Sequence, residues 1–353
     1  MVDNGVLPSI TLYNNMILGS CRNGNMDRAL ELFSELPKKH LKANVITYSI
    51  LIDGYFRKGD SDKAENMFNQ MSSSGIFPTD YTFNIVISGM SKVGKTSEAK
   101  DLLKQIVASG LFLPTCMSYN SLINGFLKED DVNSALTVYR EMCDNGICPD
   151  VVTYTTLIDG LCKSNNIDLA LKILTEMRNR EIKLDVITYA VLIDGFCKRR
   201  DMKSASQLFD EILQVGLSPN LFVYNSMLSG FRNVNNMEAA LVLRDRMISE
   251  GVSCDLETYT TLIDGLLKDG KIVLESDLFT EMLGKGITPD DITYTVLVTV
   301  FAIEVRNGTL QEAFRLHDEM LDKGLTPDDM TYDILISGKL KENSLGVGIS
   351  MPQ

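Results

Sequence analysis

The stretch VVTYTTLIDGLCKSNNIDLALKILTEMRNREIKLD, Val151 to Asp185, decides how the whole chain is read. It holds two apolar segments with helical spacing, at about Val152–Lys163 and Asp168–Arg178. Asn165 and Asn166 break the pattern between them, and the polar link Asn179–Asp185 closes it. At Val186 the pattern restarts as VITYAVLIDGFCK, 35 residues after Val151. Self-similarity at a fixed period of roughly 20–50 residues specifies a stacked array rather than a globule. Each segment makes a helix of roughly three turns, too short to be stable alone in water. Stacked on its neighbours, each helix pair gains a shared core.

Working outward, alignment on the tyrosine of each unit gives nine full copies: 10–44, 45–79, 80–115, 116–150, 151–185, 186–220, 221–255, 256–290 and 291–328. Residues 1–9 read as the tail of a preceding unit, 329–340 as the start of a tenth, and 341–353 as a small, polar, disordered tail. The extra residues of the two longer copies sit at Phe112–Leu113, in a link, and around Ala302–Asn307. The fourth position is aromatic in every copy, from Tyr13 to Tyr332. The tenth is glycine from Gly19 to Gly265, and a glycine inside a helix costs about 1 kcal/mol against alanine, so close helix approach must compensate. Alanine recurs in the second helix, from Ala29 to Ala240 and again at Ala313. Val300 and Glu275 break these columns, which predicts looser packing in the last two full copies.

Composition narrows the function classes. With 353 residues, 44% hydrophobic and 23% charged, the chain is neither disordered nor membrane-spanning, and no apolar run reaches the roughly 18–20 residues of a transmembrane helix. Its seven cysteines form no CxxC pair; Cys21, Cys162 and Cys197 share one column, which predicts helix packing. His40 and His317 have no partners in the pattern and are expected on the surface. No metal, cofactor or catalysis is expected: there is no H-x-E with P-C-x-x-C, and no acidic cluster stands outside the repeat columns. The net charge of −13 argues against generic nucleic-acid binding. The start MVDNGVLPS has neither a presequence nor a signal-peptide pattern, and the chain reads as a piece of a longer protein.

VVTYTTLIDGLCK, VITYAVLIDGFCK and ETYTTLIDGLLK with GITPDDITYT resemble pentatricopeptide repeats, in the uniform form of about 35 residues, over residues 1 to about 340. The resemblance implies an all-α, right-handed superhelical solenoid of helix-turn-helix repeats, the first helix of each pair lining an inner groove. It implies sequence-specific binding of single-stranded RNA, one base per repeat. It also implies a plant mitochondrial or chloroplast setting, with the long uniform run resembling the mainly mitochondrial restorer-of-fertility branch. A monomer is expected, with the acidic outer face open to protein partners.

Within that resemblance two columns read the base, the fifth residue of a unit and its last. The pairs are Asn14 with Asn44, Ser49 with Thr79, Asn84 with Thr115, Asn120 with Asp150, Thr155 with Asp185, Ala190 with Asn220, Asn225 with Asp255, Thr260 with Asp290, and Thr295 with Asp328. Helix N-capping, worth about 1 kcal/mol, explains Asp, Asn and Thr in the last column by itself. It does not explain weak helix formers one place after a buried aromatic. By family analogy the site reads Y-R-Y-U-G-N-U-G-G from 5′ to 3′, with the sixth letter open because Ala190 has no hydrogen-bonding group. Apolar second-position residues, Ile46, Val152, Ile187, Phe222 and Ile292, are expected to pack on base faces, while Glu257 departs from the pattern. The thirteenth column supplies a cationic stripe for phosphate: Arg22, Arg57, Lys92, Lys128, Lys163, Lys198 and Lys268, with Asn233 interrupting it. A cation at a helix C-terminus also stabilises the helix by itself. The competing reading is a protein-binding helical scaffold, which leaves the two polar columns unexplained.

Overall fold

The computed structural model describes residues 9–269, 272–303, 309–329, 331–333 and 335–337. Among them lie eighteen α-helices of 13 or 14 residues: α1 (Ile10–Arg22), α2 (Met26–Lys38), α3 (Val45–Lys58), α4 (Ser61–Ser73), α5 (Asp80–Lys92), α6 (Thr96–Ala108), α7 (Cys116–Lys128), α8 (Val132–Asp144), α9 (Val151–Lys163), α10 (Ile167–Asn179), α11 (Val186–Lys198), α12 (Met202–Gln214), α13 (Leu221–Asn233), α14 (Met237–Ser249), α15 (Leu256–Lys268), α16 (Ile272–Gly284), α17 (Asp291–Ile303) and α18 (Thr309–Asp322). No strand occurs among the described residues. The chain divides into two compact units, Met1–Lys183 and Leu184–Gln353. In the first, α1, α3, α5, α7 and α9 pack in sequence, each also packing on its own even-numbered partner; in the second, α11, α13, α15 and α17 do the same. Every contact is made to a near neighbour in sequence, so each unit is a tandem array of helical hairpins with a core running along it.

Local signals explain the helix bounds. Asp150 is extended at φ −105° and its carboxylate accepts the N–H of Thr153, which starts α9. Asn165 takes the left-handed conformation at φ 58° and so turns the chain between α9 and α10; asparagine tolerates that region better than most residues. The hairpin is then tied across. Fourth-position tyrosines bury their rings, and their hydroxyls donate to glutamates in the second helix or at its C-cap: Tyr189 to Glu211 at 2.9 Å, Tyr224 to the C-cap Glu250 at 2.6 Å, Tyr259 to Glu281 at 2.9 Å. The buried alanines, including Ala29, Ala170 and Ala240, are fully shielded.

The tenth-position glycines Gly54, Gly89, Gly125, Gly160, Gly230 and Gly265 are sites of close approach, whereas Gly19 has open space around it. A Cβ on Gly89 would lie 2.2 Å from the Phe56 ring, and one on Gly54 would lie 2.8 Å from the Cys21 sulfur. Cys21 and Cys197 therefore pack helix against helix, and burial pushes their thiols up to about 11 and about 12. Phe112, at the insertion of the 80–115 copy, is more than a tolerated extra: its ring is buried 5.5 Å from that of Phe83. His40 is exposed as expected, whereas His317 is only partly exposed. Its ring packs edge-on to Tyr332 at 5.5 Å, and its Nε2 is buried without a partner. The side chains of Glu275 and Val300, part of the Ala302–Asn307 insertion and the 341–353 tail lie outside the described residues.

Candidate functional site

The last residue of each unit is the N-cap of the next first helix. Asn44, Asp150, Asp185, Asn220, Asp255, Asp290 and Asp328 accept the backbone N–H three residues on, at 2.8–3.0 Å. Thr79 and Thr115 take part through their own backbone N–H groups, which donate to Thr82 Oγ1 and Ser118 Oγ, both at 3.3 Å. For Asp150 and Asp255 burial raises the carboxyl pKa, but the N–H and hydroxyl of Thr153 or Thr258 and the amide of Asn120 or Asn225 outweigh it. Both stay below the ordinary carboxylate value.

Those caps touch the fifth column directly. Asn14 Nδ2 donates to Asn44 Oδ1 at 3.3 Å, Asn120 Nδ2 to Asp150 Oδ1 at 3.3 Å, and Asn225 Nδ2 to Asp255 Oδ1 at 3.2 Å. The structure thus joins these three sequence-paired sets by direct bonds. Ser49, Asn84, Thr260 and Thr295 instead bond the third residue of the next unit: Thr82 at 2.9 Å, Ser118 at 2.8 Å, Thr293 at 2.8 Å and Thr331 at 3.2 Å. Thr155 is half-buried on α9. Ala190 is buried on α11, which packs on α13, and the third residue of that next unit is the buried Val223 rather than a hydroxyl.

The second column stands out from the helices. Ile46, Val152, Ile187, Phe222 and Ile292 are 51–61% exposed, large apolar side chains that the fold leaves in solvent. Tyr81 and Met117 belong to the same column and are more exposed still. The set expected from the sequence did not name them, although their position in the unit places them in it. Glu257, also exposed, bends the pattern: its Oε2 accepts from Asn225 Nδ2 at 3.3 Å, so it takes an amide hydrogen that Asn14 keeps free. In the first unit these columns converge on one concave cavity of about 410 Å³, whose walls include Met117, Asn120, Asp150, Val152 and Lys92.

The cationic column is not uniform. Arg57, Lys163, Lys198 and Lys268 are each bonded to an aspartate one helical turn back: Asp53 at 2.6 Å, Asp159 at 2.7 Å, Asp194 at 2.6 Å and Asp264 at 2.7 Å. Arg22, Lys92 and Lys128 have Leu18, Ser88 and Asn124 at that place and no ion partner among the described residues. Seven equivalent phosphate contacts are therefore not what the structure offers. An aspartate–lysine pair carries no net charge and stabilises a helix by only about 0.3–0.5 kcal/mol, so it contributes little field. Where Asn233 interrupts the column, Arg232 beside it reaches Asp264 at 3.0 Å, so that carboxylate holds two cations.

The repeat pattern described as the PPR repeat family matches residues 8–57, 50–92, 114–163, 149–198, 185–233, 219–268, 257–303 and 299–341, and a second pattern, PPR repeat, matches 81–111. The chain belongs to the PPR repeat family. Among curated relatives, this PPR chain is similar to a mitochondrial pentatricopeptide repeat-containing protein of Arabidopsis thaliana, 60% identical over 37 residues, which is 10% of this chain and 4% of that protein. Its fold is similar to that of the pentatricopeptide repeat protein PPR10 from maize, with a TM-score of 0.61 and 21% identity over 99% of this chain and 59% of the other. A second PPR10 structure, in complex with an 18-nt psaJ RNA element, is matched at a TM-score of 0.45 and 26% identity, covering 97% of this chain and 52% of that one. The PPR chain thus spans well under two thirds of the length of these relatives.

The third-position hydroxyls are the site residues that sequence reading of this PPR chain missed altogether. Thr47, Thr82, Ser118, Thr153, Thr258 and Thr293 are fully buried between the fifth and last columns. Their nearest fifth-position neighbour lies 33 or 34 residues upstream, so no local pattern marks the contact. No group of metal-ligating side chains occurs among the described residues, and none of their helices is long and apolar enough to cross a membrane.

Proposed function

We propose that the chain binds single-stranded RNA in a sequence-specific manner, one base per repeat, with the fifth and last residues of each unit reading the base edge. The observation that carries this reading is the cavity around Asn120: an amide bonded to a capping carboxylate at 3.3 Å, flanked by the exposed apolar side chains of Met117 and Val152, with Lys92 at its wall. Two apolar side chains one unit apart suit the faces of a flat, aromatic ring. The polar pair between them suits its Watson–Crick edge, and the unpaired lysine suits the phosphate.

The base-reading residues are Asn14, Ser49, Asn84, Asn120, Thr155, Ala190, Asn225, Thr260 and Thr295 with their last-position partners. The target reads Y-R-Y-U-G-N-U-G-G, the sixth letter open at Ala190 and the seventh weakened by Glu257. The likeness to a mitochondrial relative over a short stretch supports an organellar setting; we favour the mitochondrion, with the chloroplast as the alternative, and the restorer-of-fertility-like branch. RNA processing, stability or translation is the role such binding serves.

Selection from a random RNA pool tests the reading. Enrichment of a nine-base motif with U and G at its fourth and fifth places is the expected result; recovery of no common sequence rejects it. A protein-binding role on another face has one observation in its favour: a 520 Å³ cavity on α12, α13 and α14 lined by Phe209, Phe231, Val242 and Leu243.

A further inference from the structure

We propose that the buried third-position hydroxyls decide whether the fifth-position side chain of the preceding unit offers the base a hydrogen-bond donor or an acceptor. The proposal rests on the base-reading function above and names positioning residues for it. A hydroxyl carries one proton and accepts through its lone pairs, whereas a carboxylate only accepts. The consequences differ with the fifth residue.

At three of the four fifth-position asparagines the third-position hydroxyl meets the amide oxygen: Thr47 Oγ1 donates to Asn14 Oδ1 at 2.7 Å, Ser118 Oγ to Asn84 Oδ1 at 2.8 Å and Thr258 Oγ1 to Asn225 Oδ1 at 2.7 Å. Asn120 is the exception: Thr153 Oγ1 donates to Asp150 Oδ1 at 2.9 Å, and Asn120 Oδ1 is buried without a partner. At Asn14 and Asn225 the last-position oxygen lies 3.3 and 3.2 Å from Nδ2. Turning either amide over would set two acceptors face to face. The oxygen is therefore held inward at both; the second hydrogen of Nδ2 is left for the base at Asn14, whereas at Asn225 Glu257 Oε2 accepts it at 3.3 Å. Uracil presents carbonyl oxygens to such a donor.

Where the fifth residue is threonine, the relay runs the other way. Asp290 Oδ1 takes the Thr293 proton at 2.7 Å. The 2.8 Å contact between Thr260 Oγ1 and Thr293 Oγ1 is then a bond only if Thr260 donates. The Thr260 oxygen is left with its lone pairs toward the groove, an acceptor for the N1–H and N2–H donors of guanine.

The junction of Ala190 with Val223 separates this role from capping and packing. Val223 is as buried as the threonines, and Asn220 still caps its N–H at 3.0 Å. The hydroxyl is dispensable for the helix start and for the close fit. Here it is absent beside the one fifth-position side chain that has nothing to orient.

The test uses the full chain with Thr293→Val and Thr293→Ser, each titrated by fluorescence anisotropy with RNAs that differ only at the eighth base. Valine fills the same space, as Val223 does. Wild type and the serine variant are expected to prefer G. The valine variant should lose about five- to tenfold of that preference, the scale of one hydrogen bond, with its melting temperature close to wild type. A valine variant that keeps the full preference, or a serine variant that loses it equally, overturns the proposal while leaving base reading intact. A wild-type protein indifferent to the eighth base overturns base reading itself, and this inference with it.

Discussion

The two compact units carry the same polar fifth and last columns on different electrostatic ground. Up to Lys163, five first helices end in a column cation, and three of these, Arg22, Lys92 and Lys128, have no acidic partner one turn back. From Val186 on, the column cations are Lys198 and Lys268, and each is closed onto an aspartate at 2.6–2.7 Å. The polar columns run along the chain, whereas the column cations without an aspartate one turn back all lie in its first unit. In a chain of net charge −13 that distinction matters, because phosphate responds to local field and the solution screens the rest beyond a Debye length of about 8 Å. On the proposed function, specificity and salt-dependent affinity fall to different residues.

The largest effect that would break this contrast is on salt dependence. Replacing Arg22, Lys92 and Lys128 together by alanine should reduce the log–log salt slope of RNA binding by about 2, from roughly −0.7 per phosphate contact. Replacing Lys198 and Lys268 together should change it by well under one unit. Equal changes in the two salt titrations would show that the aspartate pairs open on binding and that the units are equivalent.

The complementary change should create the contrast's opposite. Asp194→Asn with Asp264→Asn releases Lys198, Lys268 and Arg232 while keeping side-chain size. RNA affinity at low salt should rise and the slope steepen by about 1.4 units if the two lysines alone meet phosphate and by about 2 if Arg232 joins them, at roughly 0.7 per contact. An unchanged slope would mean that these cations lie away from the phosphates.

A third, smaller effect concerns the bases. Asn120→Thr should shift the fourth base from U toward G by roughly 1 kcal/mol, a modest hydrogen-bond rearrangement. Asn225→Thr in the second unit should show a weaker contrast, because Glu257 already takes one of the amide hydrogens at 3.3 Å. Glu257→Val should bring the two positions to parity. Competition binding with single-base variants reads all three.

The smallest expected effect is one in which the units agree. Asp150 and Asp255 have folded pKa values below the ordinary carboxyl value. A depressed folded pKa contributes stability above the unfolded value, and that contribution is lost as pH falls through the folded one. Melting temperature should therefore decline below about pH 4, and Asp150→Asn with Asp255→Asn should flatten part of that decline because asparagine caps without titrating. A decline identical to wild type would remove these carboxylates from the acid response.

Some of the site was legible early and some was not. The Asp159–Lys163 and Asp194–Lys198 spacings are four residues, a pattern sequence alone displays. They were missed by reading the thirteenth column in isolation from the ninth. Tyr81 and Met117 were legible in the same way. His317 was not: its burial depends on Tyr332, whose ring lies 5.5 Å away.

What the sequence determined by itself is the repeating architecture and the residues that face one another from unit to unit. A stacked array repeats its contacts with its period, so a column in the alignment is already a line in space; Gly89 against Phe56 and Gly230 against Cys197 follow from that. What only the tertiary structure decided is the direction of hydrogen bonds within a column. Whether Asn14 offers its nitrogen or its oxygen depends on a hydroxyl proton from Thr47, 33 residues away, and on the Asn44 oxygen beside it. Residue identity gives the groups available; the distances among three side chains from two helices decide which of their atoms remain for a partner.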